Sequence, residues 1–383
     1  MKIVMDFRKF DGVIGGVEEG VIYITKYLTK KGHFVVILPK KSRLKEVQNI
    51  FKGCSNIKFV PLDTETHGIS KKNARLDSTI IQDIAEKEKA DLIHFPYNWS
   101  FPSKKKVPSV LTIHDVIPFT FREAMGFFTN KFFYKKKMKK SSKLNNAIVT
   151  VSEFSKKDIS ERVGVPLNKI NVIPNGLRKP SPKNISLENK LRKKLGLKRF
   201  IINVGGIHER KNILRLIKAF SKLVENENYS GKLLITGSVS GSSYRIKMKR
   251  KCDRLVKKLQ MKKRVVFTGF IPDEELDSLY RMSDFLVYPS MYEGFGIPIF
   301  EAMKLRVPVI TSNITAMPEV AGKFAILVNP YDYKAIFSAM KKLLKDDKLR
   351  EKMGKEGYKQ TEDFTWERTS EMYLKVYEKV LKK

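Results

Sequence analysis

Short runs of β-branched and aliphatic residues alternate along the chain with longer segments whose apolar positions recur at helical spacing. Apolar runs bounded by turn residues predict buried strands, and the amphipathic segments predict the helices that connect them. The pattern therefore reads as parallel βαβ units of an α/β fold, not a sandwich or a helical bundle. In the first half, strands are expected at Lys2 to Phe7, Phe34 to Leu38, Ile57 to Val60, Leu92 to Phe95, Ser109 to Ile113, Ala147 to Val151 and Ile170 to Ile173. From Pro174 to about Leu187 the chain carries Pro174, Gly176, Pro180, Ser181, Pro182 and Ser186 with little periodicity, which predicts an interdomain linker. A second series follows, with strands at Phe200 to Val204, Lys232 to Thr236, Val265 to Thr268, Phe285 to Tyr288, Pro308 to Thr311 and Ala325 to Val328. The domains are read as 1–174 and 175–365, with a closing helix at about 366–383, apolar at Met372, Val376 and Val380, returning to the first. Two Rossmann-like halves facing each other would take a ligand in the cleft between them, at the carboxyl ends of their strands.

The chain has 383 residues and a formal net charge of +36, and 42% of its residues are hydrophobic, enough for packed cores and too many for a basic disordered chain. Cys54 and Cys252 are isolated, which excludes a disulfide framework or a cysteine zinc site and favours a reducing cytosol. The first residues, Met1 to Arg8, lack the apolar stretch of a signal peptide, and no run approaches a membrane span, so any membrane is met from its surface. The expected location is cytoplasmic, or peripheral on the cytoplasmic face of a membrane.

Charge alone does not reveal chemistry; the loops after the strands carry more. Ser290 to Met303 reads as strand, a bend at Gly294 and Gly296, then a helix with Pro298 in its first turn. Such a turn brings backbone close to a ligand and offers unpaired N–H groups to an anion. Glu293 and Glu301 flank it, and two carboxylates beside a phosphate site suit the hydroxyls of a nucleotide sugar. The alternative is a glycine-rich turn with solvated glutamates. In Asn203 to Asn212, Gly205-Gly206 again follow a strand, and Arg210-Lys211 stand at the expected helix start, where cations are unfavourable unless an anion shares the site. A chance Arg-Lys pair in so basic a chain is the alternative. Gly15-Gly16-Val17 could admit a phosphate, although Glu18-Glu19 would cap the helix without one. His114-Asp115 closes another strand and would point into the cleft, or serve the structure. No Asp-x-Asp element, metal-ligand cluster, Gly-x-Ser-x-Gly elbow or Walker loop occurs, which disfavours metal-assisted phosphoryl transfer.

Taken together, Glu293-x7-Glu301, Arg210-Lys211 behind Gly205-Gly206, Val151-Ser152-Glu153-Phe154-Ser155, Ile173-Pro174-Asn175-Gly176 and Phe364-Thr365-Trp366-Glu367 resemble the retaining glycosyltransferases of family 4, which have the GT-B fold. The resemblance implies a nucleotide-sugar donor, with Arg210 and Lys211 behind Gly206 holding its diphosphate and Glu301 its ribose. It implies that Glu293 and the backbone of Gly294, Phe295, Gly296 and Ile297 hold the transferred sugar and distal phosphate. His114 would lie by the sugar's reactive face, Gly16 by the β-phosphate, and the base against Thr268 to Pro272, including Phe270 and Ile271. His114, Glu293, Arg210 and Lys211 would form the catalytic set, and the reaction would proceed with retention and need no metal or cofactor. Ile113 to Pro118 looks more like the mannosyltransferase members, which favours GDP-mannose; UDP-glucose, UDP-GlcNAc and UDP-galactose stay open, as does a non-catalytic membrane- or nucleic-acid-binding protein on the same fold. The resemblance also implies that the first domain, 1–174, is the acceptor side and the second, 175–365, the nucleotide-sugar-binding side, with a saccharide or a lipid-linked saccharide as acceptor.

Two basic runs remain. Across Tyr244 to Arg264 a stripe of Met248, Cys252, Leu255 and Leu259 predicts a core-facing helix with a solvated basic outer face. Phe127 to Lys140 interleaves aromatics with lysines, with Phe127, Tyr134 and Met138 on one line of a helix. It suits an anionic membrane surface, or a packed helix with a basic outer face, more than a nucleic acid.

Overall fold

The computed structural model describes residues 1–64, 75–98, 100, 102, 104–121, 131–238 and 243–382. The chain divides into two compact units, Met1–Gly176 with Phe364–Lys383, and Leu177–Asp363. In the first unit, strands β1 (Lys2–Phe7), β2 (Phe34–Pro39), β3 (Ile57–Phe59), β4 (Leu92–Phe95), β5 (Ser109–Thr112), β6 (Ala147–Thr150) and β7 (Ile170–Val172) form one parallel sheet in the order β3-β2-β1-β4-β5-β6-β7. In the second, β8 (Phe200–Val204), β9 (Lys232–Thr236), β10 (Val265–Gly269), β11 (Leu286–Tyr288), β12 (Val309–Ser312) and β13 (Ala325–Val328) take the order β10-β9-β8-β11-β12-β13. Each sheet reverses its strand order once, between β1 and β4 and between β8 and β11, and the carboxyl-end crevice at such a reversal is where doubly wound folds bind ligands.

The strands are nearly all-apolar because both faces of each sheet are covered. On β1, Ile3, Met5 and Phe7 join one core, with Val35 and Ile37 of β2, while Val4 joins the other with Val36, Ile93 and Phe95. The first core is completed from far along the chain. The closing helix Trp366–Leu381, capped by Thr365 accepting from the Arg368 N–H at 3.2 Å, inserts Tyr373, Val376, Tyr377 and Val380 against β1 and β2. Trp366 stacks on Tyr23 of the first helix, Gly16–Lys30, with centroids 5.4 Å apart. A buried polar chain adds direction to this packing: Tyr377 OH lies 2.8 Å from His94 Nδ1, His94 Nε2 lies 2.8 Å from Thr112 Oγ1, and that hydroxyl lies 3.2 Å from Tyr373 OH. Burial, with His114 nearby, drives the His94 imidazole down to about 3, so it stays neutral, donating from one nitrogen and accepting at the other.

The end of the linker needs correction. The segment read as linker up to Leu187 turns helical sooner: Asn184 accepts from the Leu187 N–H at 3.0 Å and starts the helix Ile185–Leu195. Polar capping residues at a helix start resemble loop residues, which hid the boundary. The linker's middle is pinned as well, because Arg178 forks onto Asp277 at 2.7 and 2.6 Å. In the aromatic basic run, the helix Lys131–Leu144 buries Tyr134, Met138, Ser141 and Ser142, and Phe127 lies outside the described residues. Phe132 and Phe133 are 68% and 60% exposed, beside exposed Lys135, Lys136, Lys139 and Lys140. The helix Ser243–Lys258 buries Met248, Cys252 and Val256, with Leu255 and Leu259 only partly covered, so its lysines are an outer face.

Candidate active site

The site in the second unit grows from the two strands at the reversal, β8 and β11. After β8, Gly205 (φ +118°) and Gly206 (φ +77°) lead through a tight turn, Glu209–Lys211, and left-handed Asn212 into the helix Ile213–Glu227. Arg210 and Lys211, expected at the helix start, thus occupy the turn that precedes it. Gly205 must be small for a reason the pattern did not reveal: a Cβ there would lie 2.8 Å from the Lys211 ammonium, which folds back over it. Gly206 spends its N–H on Thr236 O at 2.9 Å, and its Cα lies where a Cβ on Gly237 would stand, 2.7 Å away.

After β11, the loop from Pro289 reaches Gly296, whose φ of +115° turns the chain into the helix Ile297–Lys304, with Pro298 in its first turn. No side chain caps that helix; Pro298 has no N–H to cap, and the Ile299 N–H donates to Gly296 O at 2.9 Å. The two loops are stitched together. Asn212 Nδ2 donates to Pro289 O at 3.0 Å and to Pro330 O at 2.6 Å, and the Met291 N–H donates to Arg210 O at 2.6 Å.

This stitching places Glu293 between the two cations. Its Oε1 lies 2.5 Å from Arg210 Nη1 and 2.7 Å from Lys211 Nζ. Lys211 also donates to the Tyr288 hydroxyl and sits 4.5 Å from that ring's centroid. Burial would raise the Glu293 carboxyl, but Arg210, Lys211 and a hydrogen bond from Ser290 outweigh it and hold the group at about 2. Burial dominates at Lys211, with Arg210 adding to it, and lowers the ammonium to about 8 despite Glu293. His208 is likewise pushed down, to about 4, by burial and the neighbouring cations. Two cations share one carboxylate, so the group keeps a positive charge beside the start of the helix Ile297–Lys304, where the helix dipole also favours an anion.

Glu301 belongs to a different network. Its Oε2 accepts from Tyr280 OH at 3.1 Å, and burial raises the carboxyl against the pull of Arg178. Nearby, Phe270 is 67% exposed after Gly269 (φ +76°), a ring available to a flat partner, and Ile271 is half-buried beside it. Phe295 is buried and packs against Phe300, which leaves backbone as the offering of Gly294 to Ile297. In the first unit, Gly16 opens its helix, and the Gly15 N–H donates to the Glu18 carboxylate at 3.1 Å. His114 Nε2 lies 2.9 Å from Pro96 O; a carbonyl only accepts, so that nitrogen carries the proton. The His114 N–H donates to Asn98 Oδ1 at 2.7 Å, and burial lowers the ring's pKa. Among the described residues no cluster of three or more His, Cys, Asp or Glu could hold a metal ion. Sequence reasoning missed Tyr288, Asn212, Tyr280 and the Arg178–Asp277 fork. Tyr288 reads as a core residue at a strand end, and no local signal marks the others.

The family model for Glycosyltransferase Family 4 matches residues 14–178, and that for Glycosyl transferases group 1 matches residues 188–360. The chain is 30% identical over 296 residues to the O-antigen chain mannosyltransferase B of Escherichia coli, an alignment covering 75% of this chain and 74% of that protein. It is 27% identical over 334 residues to the serotype-specific mannosyltransferase WbdA of Escherichia coli, covering 83% of this chain but spanning only 40% of WbdA. The crystal structure of Anabaena Alr3699/HepE in complex with UDP-glucose superposes with a TM-score of 0.77 at 18% identity, covering 99% of this chain and all of that one. Paired doubly wound sheets, the cationic turn behind the glycines and these relatives lead to one assignment: the chain belongs to the retaining glycosyltransferases of family 4, hexosyltransferases of the GT-B fold.

Proposed function

We propose that the enzyme transfers mannose from GDP-mannose to a saccharide or lipid-linked acceptor, with retention and without a metal ion. The pairing of Arg210 and Lys211 on Glu293 carries this reading. As the bond from the anomeric carbon to the diphosphate breaks, charge grows on the departing oxygens, and two fixed cations and a helix N-terminus stabilise it without reorganising. The acceptor oxygen bonds to the same face of that carbon, and its proton goes to the departing phosphate. Glu301, with Tyr280, is suited to the ribose hydroxyls, and exposed Phe270 to the base. Glu293 and the loop backbone would meet the sugar and distal phosphate; His114 and Gly16 keep the roles that the resemblance implies.

Mannose is favoured by the mannosyltransferase relatives and by the Ile113 to Pro118 segment; the Anabaena neighbour, which holds UDP-glucose, makes a UDP-sugar the alternative. Donor turnover across GDP-mannose, UDP-glucose, UDP-GlcNAc and UDP-galactose decides between them. GDP-mannose is expected to exceed the others in kcat/KM by at least about tenfold, the scale of one well-placed discriminating contact; a UDP-sugar in first place overturns the donor assignment.

The outer face of Lys131–Leu144 suits an anionic membrane, with Phe132 and Phe133 at headgroup depth and lysines on phosphates. No helix among the described residues is long and apolar enough to cross a membrane. Changing Lys135, Lys136, Lys139 and Lys140 together to Gln should lower co-sedimentation with phosphatidylglycerol vesicles by at least about tenfold, given roughly 1 kcal/mol per surface lysine. Unchanged co-sedimentation would assign this face to solvent alone.

A further inference from the structure

Glu301 stands among groups that work against its charge. It is half-buried on the helix Ile297–Lys304 and takes one hydrogen bond, from the neutral Tyr280 hydroxyl at 3.1 Å. Desolvation raises its carboxyl, and Asp277 and Asp273, both on the helix Asp273–Met282, raise it further. Three carboxylates thus gather in a chain whose overall charge is +36, and the cation that acts on Glu301 against this is Arg178. All of these groups belong to the second unit.

Arg178 is fixed with unusual care for a linker residue. Its Nη1 and Nη2 meet the two oxygens of buried Asp277 at 2.7 and 2.6 Å, and its Nε lies 3.5 Å from Asp273. The Ser181 N–H donates to the same Asp277 carboxylate at 2.7 Å, and Arg281 donates to Ser181 O, so the chain around Arg178 is tied to one helix. Asp277 and Tyr280 stand three residues apart on that helix and share a face. Holding Asp277 therefore holds the Tyr280 ring, whose hydroxyl reaches Glu301 and, at 3.4 Å, Pro298 O. A buried ion pair is a poor source of stability, since a well-packed apolar pair of similar volume often serves as well. What an apolar pair cannot supply is a positive charge near Glu301.

We propose that Arg178 is a positioning residue of the donor site: it fixes Tyr280 through Asp277 and sets its charge near Glu301, so that the carboxylate accepts from the ribose hydroxyls. This rests on the reading of Glu301 as the ribose ligand and holds for a guanosine or a uridine donor alike. Ribose affinity is full where Glu301 is ionised and falls as pH drops through its pKa. Without Arg178 that fall begins at a higher pH, because desolvation, Asp277 and Asp273 are then opposed only by the Tyr280 hydrogen bond.

Calorimetric titration of the full chain with GDP and UDP, each against its 2′,3′-dideoxy form, tests this. The two forms carry the same diphosphate, so the ratio of their affinities isolates the ribose hydroxyls. Arg178→Gln, which can still donate to Asp277, should weaken the ribose form about tenfold at pH 7 and leave the dideoxy form unchanged, the scale of one charge-assisted hydrogen bond. Its ribose preference should fall more steeply between pH 8 and pH 6 than that of wild type, and Arg178→Lys, which keeps the charge, should restore the wild-type profile. In the Glu301→Gln background Arg178→Gln should add nothing. If Arg178→Gln does not fold, the uncharged pair Arg178→Gln with Asp277→Asn takes its place with the same expected direction, because the pull of Arg178 on Glu301 exceeds the push of Asp277. An equal loss for ribose and dideoxy forms, a loss that persists in the Glu301→Gln background, or a ribose preference and pH profile unchanged in a folded variant overturns the proposal. A ribose preference that Glu301→Gln reduces but Arg178→Gln does not ends this inference alone; one that Glu301→Gln leaves intact ends the ribose reading and the inference with it.

Discussion

Lys211→Met is expected to lower kcat/KM for the donor by about 10²- to 10³-fold, the usual loss when one preorganised charge-stabilising group leaves a water-poor site. Lys211 is 6% exposed, and methionine fills its space against Tyr288 and Gly205, so lost packing does not dominate. Glu293 keeps Arg210 and stays ionised, and the departing diphosphate then faces one cation already paired with a carboxylate. Arginine is not an equivalent: it replaces a compact ammonium with a planar fork at a buried position between Tyr288 and Glu293. The same residue predicts a pH effect. Its ammonium is lowered to about 8, so donor affinity is complete below that pH and falls as pH rises through it, whereas Lys211→Met is flat across this range. Steady-state kinetics with thermal unfolding as a control reads both; wild-type kcat/KM in a folded variant would remove Lys211 from the donor site.

The largest stability effect is expected at Gly176, far from the chemistry. A Cβ there would lie 2.4 Å from the Trp366 backbone nitrogen, 2.5 Å from its Cα and 2.7 Å from its indole. Backbone cannot yield as the end of a lysine can, so Gly176→Ala must push the start of the closing helix outward. That movement would disturb the Trp366–Tyr23 stack and the insertion of Tyr373 and Tyr377 beside His94. Overpacking of this kind costs about 3 kcal/mol, or roughly 6 to 12 °C in melting temperature for a unit of this size. Calorimetry on the full chain should show the first unit melting earlier. A melting temperature equal to wild type would mean that the junction relaxes freely.

These cases show what local pattern carries and what it omits. Apolar runs such as Phe34–Pro39, and Phe200–Val204 with Asn203 as its one polar residue, are legible because a strand buried on both faces needs nothing else. Where an end depends on a cap, as at Asn184, polar residues read as loop. Arg210, Lys211 and Glu293 stand out by their glycines, yet their pairing depends on Asn212 reaching Pro289 and Pro330, contacts made across 77 and 118 positions. Gly176 reads as a turn residue, whereas its small size answers to a tryptophan 190 positions on.

The return of the closing helix also affects how the chain is made. The first core contains Ile3, Met5 and Phe7 from the beginning of the chain and Tyr373, Val376, Tyr377 and Val380 from near its end. On the ribosome, β1 to β7 emerge early but keep the apolar face awaiting Trp366–Leu381 uncovered, while residues 177–363, though later, have every partner they need within their own span. At roughly 5 to 20 residues per second, the gap between Gly176 and Leu381 lasts about 10 to 40 seconds, during which that apolar face stays open to chaperones and to aggregation.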